Sequence, residues 1–348
     1  MSPTPSLEPG DVAFPQATWT SFDRYGRYGS IVEALRTSLG PEPLRVLDVG
    51  DSAGHLHLFD PGLTVVGLDV ELADKPLPDT VRVQADGTRL PFADDTFDAV
   101  VSSDVLEHVA PEGRDAFLAE LVRVARRLVV VAAPFDTPGV AGCEDLARRY
   151  ALFSAEAPQP QLEEHRANGL PRLEATRAGL EAGGWATAVA GNGNLWDWLL
   201  MMVLRFQLEA RPALRPLSEG YDLWYNEMLT TRTHVGPFYR HLVVAAPDGA
   251  PDLGGQAGAV DGDGPAPDIA AVLAALIAAD TTEAVRQDAR VLARDQDARY
   301  EQLAARLDHL GERLEALIEL EVSMANQIRG LLRPLAKVTR PLRRGSTQ

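Results

Sequence analysis

The sequence predicts an α/β protein built on a doubly wound sheet of seven strands, followed by a helical coiled-coil segment. Three features predict it. Short apolar, β-branched runs alternate with amphipathic stretches across residues 44–133. Strands of a mostly parallel sheet read this way, because helices bury them on both faces. A glycine-rich turn, Gly50-Asp51-Ser52-Ala53-Gly54, follows the first run. Far downstream, leucines recur at heptad spacing, the pattern of a coiled-coil seam.

Taken in order, "LRVLDV" from Leu44 is the first strand, and a short helix is expected from about Ser52. "TVVGLDV" and "VRVQA" are the second and third strands, and "FDAVVSS" is the fourth. "RDAFLAELVRVA" is a helix and "RLVVVAA" the fifth strand. Residues 134–170 read as an irregular segment. "PRLEATRAGLEAGGW" is a further helix, stopped by Gly183-Gly184. "ATAVAG" and "YRHLVVAA" are the sixth and seventh strands, with a helical insertion rich in Trp, Leu and Met over about 192–238. The first domain is therefore 1–246. Residues 247–267 are Pro, Gly, Asp and Ala with almost nothing to bury, the composition of a flexible linker. Over 268–333 a helical coiled coil is expected. Tyr300, Leu307, Leu314, Glu321 and Ile328 alternate there with Leu303, Leu310, Leu317, Met324 and Leu331, and Glu321 interrupts the apolar seam. The basic tail, 334–348, follows Gly330 and Pro334.

Composition narrows the function classes. The formal net charge of −17 argues against general nucleic-acid binding, which requires a basic face. A single cysteine, Cys143, excludes an internal disulfide and a cysteine-built zinc site. The first residues show neither a basic start nor an apolar run, so no secretory signal is read. The most apolar window, "LWDWLLMMVLRF", is too short to span a bilayer. The expected location is the cytoplasm. No acidic residue follows Glu321, whereas Arg329, Arg333, Lys337, Arg340, Arg343 and Arg344 do. Leucines mixed with these cations suit peripheral contact with the inner face of a membrane; the alternative is a solvated basic end. The heptads point to a homo-oligomer or a partner helix.

The glycine turn admits two readings. Gly50-x-Ser52-x-Gly54 is literally the G-x-S-x-G of a serine-hydrolase elbow, with Asp136, His165 and His234 available downstream. Against this, the turn follows the first strand, and no HGGG-like stretch precedes it. Read instead as Asp48-x-Gly50-x-Ser52-x-Gly54, it is a strand-to-helix loop at the carboxyl end of a sheet, where ligands bind in this architecture. Asp69, ending the second strand 15 residues after Gly54, can take both hydroxyls of a ribose. The dinucleotide fingerprint G-x-G-x-x-G fails, because Ser52 and His55 stand where glycines belong. His55 and His57 do not share a helical face, and no metal site is read.

"VQADGTRLPFADDTFDAVVSSDVLEHV", Val83 to Val109, resembles class I S-adenosylmethionine-dependent methyltransferases. The likeness rests on Ala85-Asp86, Leu90-Pro91-Phe92, Asp95-Thr96-Phe97-Asp98 and Leu106-Glu107-His108-Val109, together with "VLDVG" and "VVGLDV". It implies a Rossmann-like seven-stranded methyltransferase sheet with S-adenosyl-L-methionine as cofactor. It further implies that Asp48, Gly50 and Gly54 shape the methionine pocket and Asp69 holds the ribose. Asp86 and Gly87 would lie against the adenine, and Ser103 would line the methionine side. Strand-end acids that merely cap a turn are the alternative for Asp48 and Asp69. The family's middle glycine is Ser52 here, which either intrudes on the ligand or donates a hydrogen bond to its methionine part. "FDRYGRYGSIVEAL" resembles the family's region over the cofactor, which implies that Arg24 or Tyr25 contacts the methionine carboxylate; a surface helix start with aromatic packing is the alternative.

A hydroxyl acceptor must also lose its proton. His108 and His165 are the candidate bases, beside the alternative that both are structural. "EHRANGLPRLEATRAGLEAGGW" and "YDLWYNEMLTTRTHVGPFYRHLVVAA" also resemble methyltransferases of bacterial polysaccharide assembly. That likeness implies O-methylation of a glycan or glycan precursor, with Trp196, Trp198, Trp224 and Tyr225 facing a sugar unless they form the insertion's own core. The rival function is a non-catalytic scaffold that works through its coiled coil.

Overall fold

The computed structural model describes residues 20–254, apart from 79, 156–157, 211–216 and 229–231. The heptad segment, the basic tail and the end of the linker lie outside the described residues.

Seven strands form one sheet: β1 (Leu44–Val49), β2 (Leu63–Asp69), β3 (Val81–Gln84), β4 (Phe97–Ser103), β5 (Ala125–Pro134), β6 (Ala186–Asn194) and β7 (Phe238–Ala246). Their order is β3-β2-β1-β4-β5-β7-β6. The first five strands pair in parallel, whereas β7 runs antiparallel to both β5 and β6. The sheet is therefore mixed, and its order reverses between β1 and β4.

The apolar runs divide by alternation into two cores. On β5, Val129, Val131 and Ala133 enter one core with Phe97, Val100, Phe117, Leu118, Leu121 and Leu180. Leu128, Val130 and Ala132 enter the other with Ile31, Leu35, Val46, Val101, Leu242 and Val244. Helix α1 (Phe22–Leu39) covers the second face with its stripe of Ile31, Ala34 and Leu35. On the first face lie α3 (Arg114–Val124) and α6 (Leu173–Glu181).

Three expectations change. The helix after the glycine turn, α2 (Leu56–Phe59), is a single turn and begins past Ser52. The backbone of 51–55 is spent on a turn in which Ala53 N–H and His55 N–H donate to the Asp51 carboxylate at 2.9 and 2.8 Å. Residues 134–170 are not irregular, because α4 (Pro138–Ala155) and α5 (Pro160–Asn168) occupy them. Val140, Cys143, Ala147 and Ala151 form the buried stripe of α4. Alanine and cysteine at these helical intervals hide the periodicity that larger side chains announce. The linker begins later than expected. Leu253 is 2% exposed within the α1 core, and Ser38 Oγ donates to the Asp252 carbonyl at 3.2 Å.

Between β6 and β7 lie two helices, α7 (Leu195–Ala210) and α8 (Leu217–Met228). Trp198 is buried and stacks on Tyr239 at 3.8 Å between centroids, and buried Tyr225 meets the edge of Phe22. These two rings are core rather than a sugar platform. Among the described residues no helix is long and apolar enough to cross a membrane.

Candidate functional site

The site grows from the strand order. Val49 pairs with Leu68 on one side and Ser102 on the other, so Gly50 emerges between Asp69 and Ser103 at the carboxyl edge. This is the switch point where doubly wound sheets bind ligands. Gly50 has φ +99°, a left-handed conformation that side chains resist. A Cβ there would stand 2.1 Å from Val105 Cγ2, so only glycine lets the loop after β4 close in. Gly54 is also left-handed, at φ +85°.

The loop is laced to the turn after β2. Ser52 Oγ donates to the Glu71 carbonyl at 3.3 Å and accepts from Ala73 N–H at 2.8 Å. Leu77 N–H donates to the Ala53 carbonyl at 2.9 Å. The Ser52 hydroxyl is thus committed to protein on both sides and is 3% exposed. It is no nucleophile, because its hydrogen bonds go to the backbone of Glu71 and Ala73 and none to a histidine that could take its proton. The hydroxyl is also turned to the 71–73 backbone rather than held free for a ligand.

From α1, Tyr28 places its hydroxyl 3.2 Å from Asp48 and 3.1 Å from Asp51. Burial, then the charge of Asp51, push the Asp48 carboxyl well above its ordinary range. Burial also works to raise Asp51, but hydrogen bonds from His55 and the backbone amides prevail and hold it at about 2. Asp69 is half-buried, and its Oδ1 accepts from Glu71 N–H at 3.2 Å. Asp86 is exposed and closes a turn by accepting from Thr88 N–H and Thr88 Oγ1, both at 2.8 Å. Gly87 is buried, with Phe117 lying where its side chain would be. Ser103 is buried with its hydroxyl unpartnered. Arg24 is half-buried, and burial followed by the charge of Arg27 lowers its pKa.

An ion network that sequence reasoning missed borders this edge. Arg240 of β7 donates to both oxygens of Asp104 at 2.9 Å and to Asp23 at 2.6 Å. Arg27 donates to Asp104 at 2.5 Å. Asp104 directly follows Ser103 and adopts φ +52°, a conformation aspartate tolerates better than most residues.

The two predicted histidines, 57 residues apart, come together. His165 Nε2 lies 3.3 Å from His108 Nε2. Each ring turns its other nitrogen to a carboxylate: His165 Nδ1 to Glu144 at 3.0 Å, and His108 Nδ1 to Glu164 at 2.7 Å. Tyr239 hydroxyl donates to the same Glu144 oxygen at 2.9 Å. Glu107 completes the group. It is fully buried, its Oε1 is 3.9 Å from His165 Nε2, and neither of its oxygens accepts a hydrogen bond. Burial, then the nearby charge of Asp104, push its carboxyl well above the ordinary range. The L-E-H-V stretch holds Glu107 beside His108, and Glu164 precedes His165 in sequence, but nothing in the sequence marks Glu144 as their neighbour or brings the two stretches together. The cluster follows Val105, the residue seated against Gly50, and so adjoins the glycine loop.

A family model described as a methyltransferase domain matches residues 47–132. A demethylmenaquinone methyltransferase of Beutenbergia cavernae is 42% identical over 124 residues, which is 32% of this chain and 50% of the relative. One from Mycolicibacterium vanbaalenii is 32% identical over 182 residues, 47% of this chain and 76% of the relative. The chain thus spans about half the length of the first relative and three quarters of the second. Magnesium protoporphyrin IX methyltransferase from Synechocystis aligns with TM-score 0.40 at 16% identity, over 64% of this chain and 83% of that one.

Proposed function

Because the chain belongs to the class I S-adenosylmethionine-dependent methyltransferases, we propose that it moves a methyl group from that cofactor to an acceptor bearing an ionisable hydroxyl. The observation that carries this reading is the laced glycine loop, emerging between Asp69 and Ser103 at the switch point. Asp69 would hold the ribose hydroxyls, Asp86 would flank the adenine, and the Ser103 hydroxyl would line the methionine side. Arg24 would face the methionine carboxylate. Gly50 and Gly54 would shape the cradle, and Asp48, held by Tyr28, would set its floor. Ser52 would serve the cradle by fixing the 71–73 turn.

The cofactor supplies an activated sulfonium, so the protein's part is placement and removal of the acceptor's proton. Asp69, Ser103 and the glycine loop would hold the cofactor in that cradle while its methyl group passes to the acceptor, the C–S electron pair staying on sulfur. The groups positioned to drive proton loss are His108 and His165.

Once ionised, a glycan hydroxyl takes the methyl group on oxygen, as the polysaccharide-type resemblance implies. An aromatic diol can take it on the adjacent ring carbon instead, as the names of the relatives suggest. Burial of Trp198 and Tyr225 removes two of the four rings that would have faced a sugar, and favours the smaller aromatic acceptor.

Calorimetry with S-adenosylhomocysteine tests the cofactor half. Saturable binding that Asp69→Ala weakens at least about tenfold is expected, a loss of ~1.4 kcal/mol. No binding by the intact protein would instead favour a scaffold acting through the heptad segment. Transfer of labelled methyl to a naphthoquinol but not to glycan precursors is the expected outcome of an acceptor panel; the reverse result would restore the glycan.

A further inference from the structure

The hydrogen-bonding of the His108–His165–Glu107 cluster carries a consequence beyond methyl transfer. Glu144 Oε1 receives the Tyr239 hydroxyl and faces His165 Nδ1, so that nitrogen carries the proton and donates. Glu164 likewise receives the N–H of His108 Nδ1. With both rings neutral, both Nε2 atoms are bare lone pairs, and they face each other at 3.3 Å. The third group aimed at them is a fully buried carboxylate with no hydrogen-bond donor on either oxygen. Three electron-pair donors converge, and Arg240 and Arg27 reach Glu107 only through space, neither forming an ion pair with it among the described residues.

The geometry points to a divalent cation of the zinc class held by His108 Nε2, His165 Nε2 and the Glu107 carboxylate. Two imidazole nitrogens bound tetrahedrally at ~2.0–2.1 Å stand ~3.3 Å apart, the separation seen here. Glu107 Oε1 is 3.9 Å from His165 Nε2 and the three ligand atoms lie within 4.8 Å of one another, so the carboxylate closes the set by moving inward roughly an ångström. Two imidazoles and one carboxylate suit zinc and its transition-metal neighbours rather than magnesium or calcium. The carboxylates behind both rings are the outer partners that metal-bound histidines have, fixing ring orientation and raising ligand basicity. His108 is about a quarter exposed whereas the other two are buried, so a fourth position opens on its side. The role in catalysis rests on the proposed methyl transfer. An acceptor hydroxyl entering that position would ionise near neutral pH, its proton passing to water and its oxygen staying on the cation.

The test uses the full chain stripped with a chelator and titrated with Co²⁺ and Zn²⁺, without cofactor. One equivalent of Co²⁺ is expected, with the intense visible absorption of a tetrahedral site, and Zn²⁺ should displace it and raise Tm. His108→Ala, a change at the exposed member, should bind at least ~100-fold more weakly, while its Tm in chelator matches the parent. Glu164→Gln should lose about tenfold, as outer partners do. No saturable binding, or equal affinity in His108→Ala, overturns the site. S-adenosylhomocysteine calorimetry on the same stripped protein separates the two readings. Cofactor binding without cation binding sinks only this inference. Cation binding without cofactor binding keeps the site and removes its role in methyl transfer.

Discussion

Ser52 shows how one residue changes meaning between sequence and structure. In the sequence it stands where the family's loop has a glycine, which suggests a spoiled cradle. In the structure its backbone is not left-handed, so glycine's freedom is not needed there. Its hydroxyl instead bridges to Glu71 and Ala73. Ser52→Gly should therefore cost about 1–2 kcal/mol, the net worth of the lost bonds, and should weaken S-adenosylhomocysteine binding. Tighter binding in calorimetry would return Ser52 to the role of an intruder. Gly67 makes the complementary case. Nothing in "TVVGLDV" marks it as special, yet a Cβ there would lie 2.3 Å from the Asp51 carbonyl oxygen, because the glycine loop crosses directly over β2. Gly67→Ala should lower stability by about 1–3 kcal/mol, as overpacking does. A denaturant titration with an unshifted midpoint would contradict that crossing.

At the scale of elements, strands were legible and their partners were not. Apolar, β-branched runs mark β1, β2, β4, β5 and β7, which are largely buried on both faces, whereas the edge strand β3 holds no fully buried residue. The antiparallel direction of β7 left no trace, because direction is set by where the chain returns from α8. The same limit hid the Arg240 network. Its members lie 77, 136 and 217 residues apart, and each is unremarkable alone. Arg240 ties α1 and the end of β4 to β7 and is 3% exposed. Arg240→Ala would take the main cation from Asp104 and Asp23, with Arg27 still beside them, at a cost of about 1–3 kcal/mol; a Tm within a degree of the parent's would refute the network's importance. Helix α7 supplies a pH dependence. Burial pushes Asp197 up to about 6, against the opposing pull of Arg232. The folded state therefore keeps a proton that the unfolded chain releases near pH ~4. Stability contributed by this group falls as pH rises from about 4 to about 6 and is level above. Asp197→Asn should flatten that slope, which urea titrations at several pH values would reveal; an unchanged slope would place the titration elsewhere.

For the molecule as a whole, the boundary of the folded domain is the point on which composition misleads. Residues 247–254 share the Pro, Gly and Asp content of residues 255–267, and composition alone assigns them to a linker. One leucine decides otherwise. Leu253 is buried in the α1 core beside Ile31, Leu35 and Leu44, and the Ser38–Asp252 hydrogen bond holds the segment on the same helix. α1 in turn carries Tyr28 to Asp48 and Asp51, so the strap after β7 steadies the helix that closes the glycine loop. If 247–254 were free linker, Leu253→Ala would change nothing. As a buried core side chain, its truncation should cost about 2–5 kcal/mol. A chain ending at 246 should show a comparable loss of stability together with weaker cofactor binding, whereas one ending at 254 should keep both. Thermal unfolding and S-adenosylhomocysteine calorimetry on the two shortened chains separate these outcomes, and equal behaviour of the pair would move the boundary back to 246.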